Sequence, residues 1–351
     1  MSGGAQPGGP GAGPGAGAGA SRAAAAMPLA APVLPGPPAA ATGRIPRREA
    51  AAYLGLLCLL GALWGLTQPL SKLSVSEGYR SFGLVFWQLA ITGAVLGGAC
   101  ALRRRPIPLG APYLRLYALI ALVGTVLPNS ASYQAAVHLP SGILSIVLSL
   151  VPMLAFPIAL ALGIDRFSPR RLIGLCLGLC GVALIALPEA SLPERALVAF
   201  LPLALVAPAL YALEGNVVAR WGTLGLDPVQ LLAGASAAGL LLALPLALVS
   251  GQFIDPRPPW GVPDAALLLS GLVHALAYAG YVWLVGRTGA VFAAQVAYLV
   301  TGFGVIWAML LLGERYGPTV WAAMGVMFLG LFLVVPLRRS ALAPAPSRGQ
   351  G

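Results

Sequence analysis

Gly163-Ile164-Asp165-Arg166-Phe167-Ser168-Pro169 recurs as Leu312-Gly313-Glu314-Arg315-Tyr316-Gly317-Pro318, displaced by 149 positions (314 − 165). Each copy lies between two long apolar runs. The same displacement lays Ser141–Pro188 over the segment beginning at Ala290 without a gap and brings Gly181 onto Gly330. Identities are few, but an acid–arginine–aromatic–x–proline run flanked by apolar stretches on both sides marks a duplication. One copy holds about five helix-length segments. An odd number of crossings makes the second copy enter from the opposite side, and an inverted repeat with a site between its halves is the plan of many alternating-access carriers.

Outward from these turns, apolar stretches of bilayer-crossing length continue from Ala51 almost to the end. Ten are expected, centred near Leu60, Ala90, Val123, Pro152, Cys180, Ala207, Leu240, His274, Gly302 and Met327. The 351 residues are 58% hydrophobic and 9% charged, with mean hydropathy +0.87. A soluble chain carries about 25% charged residues, so an ordinary cytosolic enzyme is excluded. The fold expected is an all-α membrane protein of ten transmembrane helices in two inverted five-helix repeats. Residues 1–48 read as a disordered Gly/Ala/Pro-rich cytoplasmic tail, 51–188 as the first repeat, 196–337 as the second and 338–351 as a second cytoplasmic tail. The leading segment lacks the basic, apolar and cleavage regions of a signal peptide, and Met27 offers an alternative start.

Net charge is +11. The arginines cluster between apolar runs instead of forming a basic face, so they read as orienting charges and no nucleic-acid partner is expected. With the N-terminus inside, the inner segments hold 16 Lys and Arg and the outer ones 5, from Lys72, Arg80, Arg195, Arg257 and Arg315. Both termini are therefore expected in the cytoplasm. Lys72 is the only lysine, and with abundant Ala, Gly and Pro this fits a GC-rich bacterial coding sequence, hence an inner membrane.

Polar side chains at bilayer depth should face a cavity or another helix. Several recur at helical spacing: Trp64, Gln68 and Ser71 in the first span, Asn129 and Tyr133 in the third, and Ser145, Ser149 and Pro152 in the fourth. His274, Tyr278 and Tyr281 follow in the eighth, and Gln295, Tyr298 and Gly302 in the ninth. The fifth and tenth spans show no such stripe. Trp64, Gln68, Asn129, Tyr133, Tyr278 and Gln295 are the candidate substrate-binding residues. Glu214 and His274 are the candidates for proton coupling, histidine titrating near neutral pH. The plainer readings stay open: Glu214 snorkelling toward Arg220, and His274 as a neutral imidazole hydrogen-bonded within the bundle. Asp165/Arg166 and Glu314/Arg315 read as loop ion pairs or helix caps, and the i,i+4 pair Cys176/Cys180 as small packing residues. Gly61/Gly65, Gly93/Gly97 and Gly174/Gly178 are spacings that permit close helix contact.

No phosphate-cradling loop, catalytic triad or metal cluster is found, so no enzyme, cofactor or metal is expected. The expected partners are a small-molecule metabolite and membrane lipid, with a homodimer as a further option.

These residues resemble the EamA-type carriers of the drug/metabolite transporter superfamily, from about Ala51 to Arg339. The resemblance rests on Leu63-Trp64-Gly65 with Lys72, on the Pro152 segment leading to Gly163-Ile164-Asp165-Arg166, and on Gly174 and Gly181. Leu312-Gly313-Glu314-Arg315 with Gly330 completes it. It implies a metabolite carrier, usually an exporter, with spans 1–4 and 6–9 around a central cavity and spans 5 and 10 peripheral. Two departures stand out: Phe86-Trp87-Gln88 where such carriers often have an arginine, and Thr301 at the counterpart of Pro152. The expected function is secondary transport of a small organic metabolite, more readily outward, driven by the proton gradient or by exchange. An uptake carrier or uncoupled facilitator is the alternative within transport; a non-transporting lipid scrambler or sensor is the alternative outside it.

Overall fold

In a computed structural model, residues 47–186, 195–288 and 295–334 are described. The expected tails, 1–48 and 338–351, lie almost wholly outside them. Among the described residues the structure is helical, with no strand. The first half comprises α1 (Arg47–Ser76), α2 (Ser81–Leu102), α3 (Ala111–Ala121), a π-turn (Leu122–Val126), α4 (Leu127–His138), α5 (Ser141–Leu148), α6 (Val151–Ala161) and α7 (Pro169–Ala186). A 3-10 turn (Arg195–Phe200) opens the second half, followed by α8 (Leu201–Trp221), α9 (Pro228–Val249), α10 (Val262–Thr288), α11 (Val296–Leu312) and α12 (Pro318–Val334).

Eight described segments are long and apolar enough to cross a bilayer, with Ala111–His138 and Ser141–Ala161 each joining two helices. α11 and α12, at 17 residues each, are shorter. Seventeen residues give about 25 Å of helix, the lower end of what a bilayer core requires. Each expected centre falls within one of these ten apolar segments.

Local chemistry sets several boundaries. Asp227 accepts hydrogen bonds from the N–H groups of Val229 (2.9 Å) and Gln230 (3.0 Å), and Gln230 Oε1 accepts one from Asp227 N–H. This capping box starts α9, with Pro228 in the first turn where its missing N–H costs nothing. Gly313 ends α11 in the left-handed region (φ +65°). Pro152 has no N–H to offer the Leu148 carbonyl, and the chain breaks there into α5 and α6. Pro128 withholds a donor from the Gly124 carbonyl in the same way, and the backbone widens into the π-turn, with Leu127 N–H reaching Leu122 C=O.

Helix pairing is symmetric between the halves. α1 packs on α10 and α11, while α8 packs on α4, α5 and α6. α2 packs on α9 and α10, and α9 in turn on α2 and α3. α2–α9, α5–α11 and α7–α12 are pairs of corresponding helices. Exchanging the two halves carries this pattern onto itself. The closest crossings use small residues: a Cβ on Gly65 would lie 2.8 Å from Gly304 N, and one on Gly174 would lie 2.6 Å from Gly330 O. Of the expected glycine pairs, Gly61/Gly65 and Gly174/Gly178 sit at such crossings, whereas Gly97 faces open space.

Cys176 and Cys180, expected as small packing residues, are exposed. Gly174, Gly178 and Gly181 turn the opposite face of α7 toward its neighbours.

The ends of the bundle differ. One end carries the turns at 77–80, 139–140, 250–261 and 313–317; the other carries those at 103–110, 162–168 and 222–227. Phe82 N–H donates to Gln252 Oε1 (3.1 Å) and Trp87 Nε1 to Ile254 C=O (3.0 Å), which tie the 250–261 segment to the start of α2.

Candidate functional site

A polar cavity of about 60 Å³ lies inside the bundle. It is lined by Thr67, Gln68 and Ser71 of α1, Gln88 of α2, Asn129, Ser132 and Tyr133 of α4, Leu148 of α5, Tyr211 of α8, and Ser270 and His274 of α10. Among the described residues, α7 and α12 contribute nothing to this lining.

Gln88 is the hub. Its Oε1 accepts hydrogen bonds from Asn129 Nδ2 (2.9 Å) and Tyr133 OH (3.1 Å), and Asn129 Oδ1 accepts one from Tyr211 OH. The chain of donors runs from α8 through α4 to α2 and links both halves. Thr67 and Ser71 place their hydroxyl protons on carbonyls of their own helix, those of Trp64 (2.6 Å) and Thr67 (2.8 Å). His274 and Gln68 make no hydrogen bond with a described residue, so both keep polar atoms available to the cavity. The lining contains no carboxylate, lysine or arginine.

A second, larger cavity of about 580 Å³ opens at the end that carries the 77–80 turn. Tyr79, Arg80 and Ser81 form one side, Gln134, Val137 and His138 of α4 another, and Phe200, Leu203 and Gln252 a third. The His138 ring stacks on Phe200, with centroids 3.7 Å apart. Tyr79 OH donates to Asp264 Oδ1 (2.7 Å). That bond, with burial and the nearby charges of Asp264 and Glu77, pushes the Tyr79 phenol up to about 12. Tyr133 lines both cavities and forms the floor of this vestibule and the roof of the inner space. A pocket of about 300–1,000 Å³ suits a small organic ligand. The vestibule is of that size, whereas the inner cavity would hold a few water molecules.

Gln68, Asn129, Tyr133 and His274 are thus brought together around one cavity. Trp64 stands beside them, its ring 6.3 Å from His274 and 5.3 Å from Tyr281. Tyr278 and Gln295 do not line the cavity: Tyr278 lies one turn beyond His274, and Gln295 sits at the start of α11. Tyr298 packs on Phe328, with centroids 5.7 Å apart. Glu214 is also outside the lining. It sits one turn along α8 from Tyr211 and within electrostatic reach of Tyr211 and Tyr278.

The Glu214 carboxyl group rests on Gly124 in the π-turn: a Cβ there would fall 2.5 and 2.7 Å from its two oxygens. The plainer reading, in which Glu214 pairs with Arg220, is not met. Among the described residues the ion pairs are Arg171–Asp165 and Arg257–Asp255, so Glu214 faces no cation. Gln88, Tyr211, Thr67, Ser132 and Ser270 also line the cavity and lie outside the expected set. Ser132 and Ser270 carry the signal that found the others, since Asn129/Ser132 and Ser270/His274 have i,i+3 and i,i+4 spacing. Gln88 registered only as a place where an arginine was absent.

The geometry is that of a membrane bundle with two matching halves, a polar centre and access from one end. The family model for EamA-like transporters matches residues 52–187 and again 199–335.

The chain belongs to the EamA-like transporter family.

As a member of that family it is a membrane transporter. It is 26% identical over 296 residues to a protein described as "Uncharacterized inner membrane transporter YedA" from Escherichia coli K12, covering 82% of this chain and 92% of that protein. The corresponding proteins of Escherichia coli O6:H1 and O157:H7 match to the same extent. A crystal structure of a protein at 19% identity aligns with a TM-score of 0.55, covering 83% of this chain and 99% of the other. That likeness concerns the fold alone.

Proposed function

We propose that this EamA-like transporter is a secondary carrier of the inner membrane, crossing it ten times as two inverted repeats with both termini in the cytoplasm. It moves a small organic metabolite by alternating access, outward, using the proton gradient or exchange. The observation that carries this reading is the position of Tyr133, which separates a vestibule large enough for a metabolite from a polar cavity too small for one. A carrier occluded at its centre and open toward one end has this arrangement. The exchange symmetry of the helix pairs supports a matching rearrangement that opens the other end. The inner-membrane location is that of the relatives' description.

Trp64, Gln68, Asn129, Tyr133, Tyr278 and Gln295 are proposed to contact the substrate as the cavity widens. Glu214 and His274 are proposed to carry the proton. An acid at bilayer depth costs about 2.5–3.5 kcal/mol on insertion scales. Glu214 sits on Gly124 without a cation to offset that cost, so a proton is the simplest means of neutralising it. On this reading, Glu214→Gln abolishes proton dependence while the fold persists; unchanged coupling in the variant removes the assignment.

The test of transport itself is untargeted mass spectrometry of metabolites inside and outside cells that overproduce or lack the protein. One compound class rising outside on overproduction and retained inside on deletion supports export. Faster depletion of a nutrient from the medium makes the carrier an importer. No change in either pool across many growth conditions points to a non-transporting role.

A further inference from the structure

The corner between α4 and α5 is held by two charged residues from different halves. Lys72 of α1 donates its Nζ protons to the carbonyls of Ala136 (2.6 Å), Val137 (3.3 Å) and Leu139 (3.1 Å) at the end of α4. Two residues later the chain starts α5, and there Glu314 of the α11–α12 turn accepts from Ser141 N–H (2.8 Å) and Gly142 N–H (3.2 Å). Tyr316 closes the group: its OH donates to Glu314 and accepts from Gly142 N–H (3.0 Å). A cation thus sits on the negative end of one helix and an anion on the positive end of the next, with Leu139-Pro140 extended between them. Lys72 and Glu314 are within electrostatic reach of each other.

The clamped helix end is also a vestibule wall. Val137 and His138 line the vestibule, and the Val137 carbonyl is one of the three that Lys72 holds. The opposite rim is pinned separately, through Gln252 and Ile254 to the start of α2. Narrowing the mouth therefore needs the end of α4 to leave Lys72, or the α5 start to leave Glu314. We infer that Lys72 and Glu314 are positioning residues of the transport cycle, a latch in which Lys72 ties the end of α4 to α1 and Glu314 ties the start of α5 to the other half, so that the α4 wall is held back and the vestibule kept open. This rests on the alternating-access reading above and says which contacts govern one of its states. When the latch is released, the population shifts away from the open vestibule.

The experiment reads that population without any substrate. Gln134, exposed in the vestibule, is replaced by cysteine in a chain whose Cys58, Cys100, Cys176 and Cys180 are serines. An impermeant maleimide is then added to intact cells and, separately, to inverted membrane vesicles. With the latch intact, Gln134→Cys reacts rapidly from the vestibule side. Adding Lys72→Met or Glu314→Gln is expected to slow that reaction at least fivefold, and Lys72→Arg, which retains the donors and the charge, is expected to restore most of it. In the same backgrounds, Ser270→Cys in the inner cavity should gain reactivity from the opposite side. Unchanged rates at Gln134→Cys overturn the inference. So does increased labelling of both cysteines from both sides, the result for a corner that merely supports the fold. Should Glu314→Gln not accumulate in membranes, the Lys72→Met and Lys72→Arg pair gives the same reading. Labelling as expected in a protein that moves no metabolite leaves the latch standing and removes the transport proposal; the converse result removes the latch alone.

Discussion

The turn after α6 and the turn after α11 carry the same acid–arginine–aromatic–x–proline run, but their acids face different partners. Asp165 accepts from the backbone N–H of Arg166 (2.8 Å) and pairs with Arg171, so its described bonds stay within its own turn and the start of α7. Glu314 instead reaches across to the other half and caps α5. Neither pairs with the adjacent arginine; of the two expected readings, ion pair or helix cap, Glu314 takes the cap. The flanking residues explain the difference. Shifted by 149 positions (320 − 171), Arg171 corresponds to Val320, which is buried, so no guanidinium competes for Glu314. Glutamate is one methylene longer than aspartate, and Tyr316 brings a hydroxyl that Phe167 lacks. Phe167 is accordingly exposed, while Tyr316 tucks over Gly142. A duplicated motif has thus become a surface ion pair at one end and a bond between halves at the other.

Breaking the longer-range bond should have the largest effect. Glu314→Ala leaves the Ser141 amide without an acceptor and the Gly142 amide with the Tyr316 hydroxyl alone, in a corner where Ser141 is fully buried. Losing hydrogen bonds to a charged group there should cost about 3 kcal/mol. Thermal unfolding of the purified protein in detergent would read this as a clear fall in Tm. Gly142→Ala puts a Cβ into the Tyr316 hydroxyl. An overpacked site of this kind costs about 2 kcal/mol, and adding Tyr316→Phe to remove the hydroxyl should recover part of it; a double-mutant cycle shows whether the two changes couple. Tyr316→Phe alone removes one donor and one acceptor and should cost about 1 kcal/mol. At the other turn, Asp165→Ala breaks a partly solvated pair and is expected to cost about 0.5 kcal/mol or less, with no change in vestibule labelling. A large destabilisation from Asp165→Ala would erase the contrast between the turns.

Alkaline titration sharpens the same contrast. Burial and the bond to Glu314 push the Tyr316 phenol up, well above its ordinary value near 10. The fold favours the neutral phenol, so its contribution is complete below pH 10 and is lost only as pH rises through the folded value. Ultraviolet difference spectra of Tyr316→Phe against the parent protein should therefore show no phenolate signal from this residue at pH 10.5.

Much of this was legible in the residues. The spacing around Gln68, Asn129, Tyr133 and His274 was enough to mark the polar face of each of their helices, because helical period fixes which face a residue shares. Tyr278 and Gln295 carry the same signal but lie beyond the lining: period assigns a face, not a depth. Glu214 was visible as an acid at bilayer depth, but its seat on Gly124 was not. That seat depends on a π-turn in another helix, which follows from Pro128 only once α3 and α4 are seen to be continuous across it.

By itself the sequence determined the helical membrane character, the duplication and the set of polar faces, all of which follow from composition and periodicity along the chain. The tertiary structure decided which of those faces meet. It made Gln88 the hub of the cavity, set Tyr133 between cavity and vestibule, and turned Glu314 away from Arg315 toward α5. Hydrogen bonds between distant helices depend on how far each helix is slid and turned against its neighbours, and no local pattern of residues encodes that.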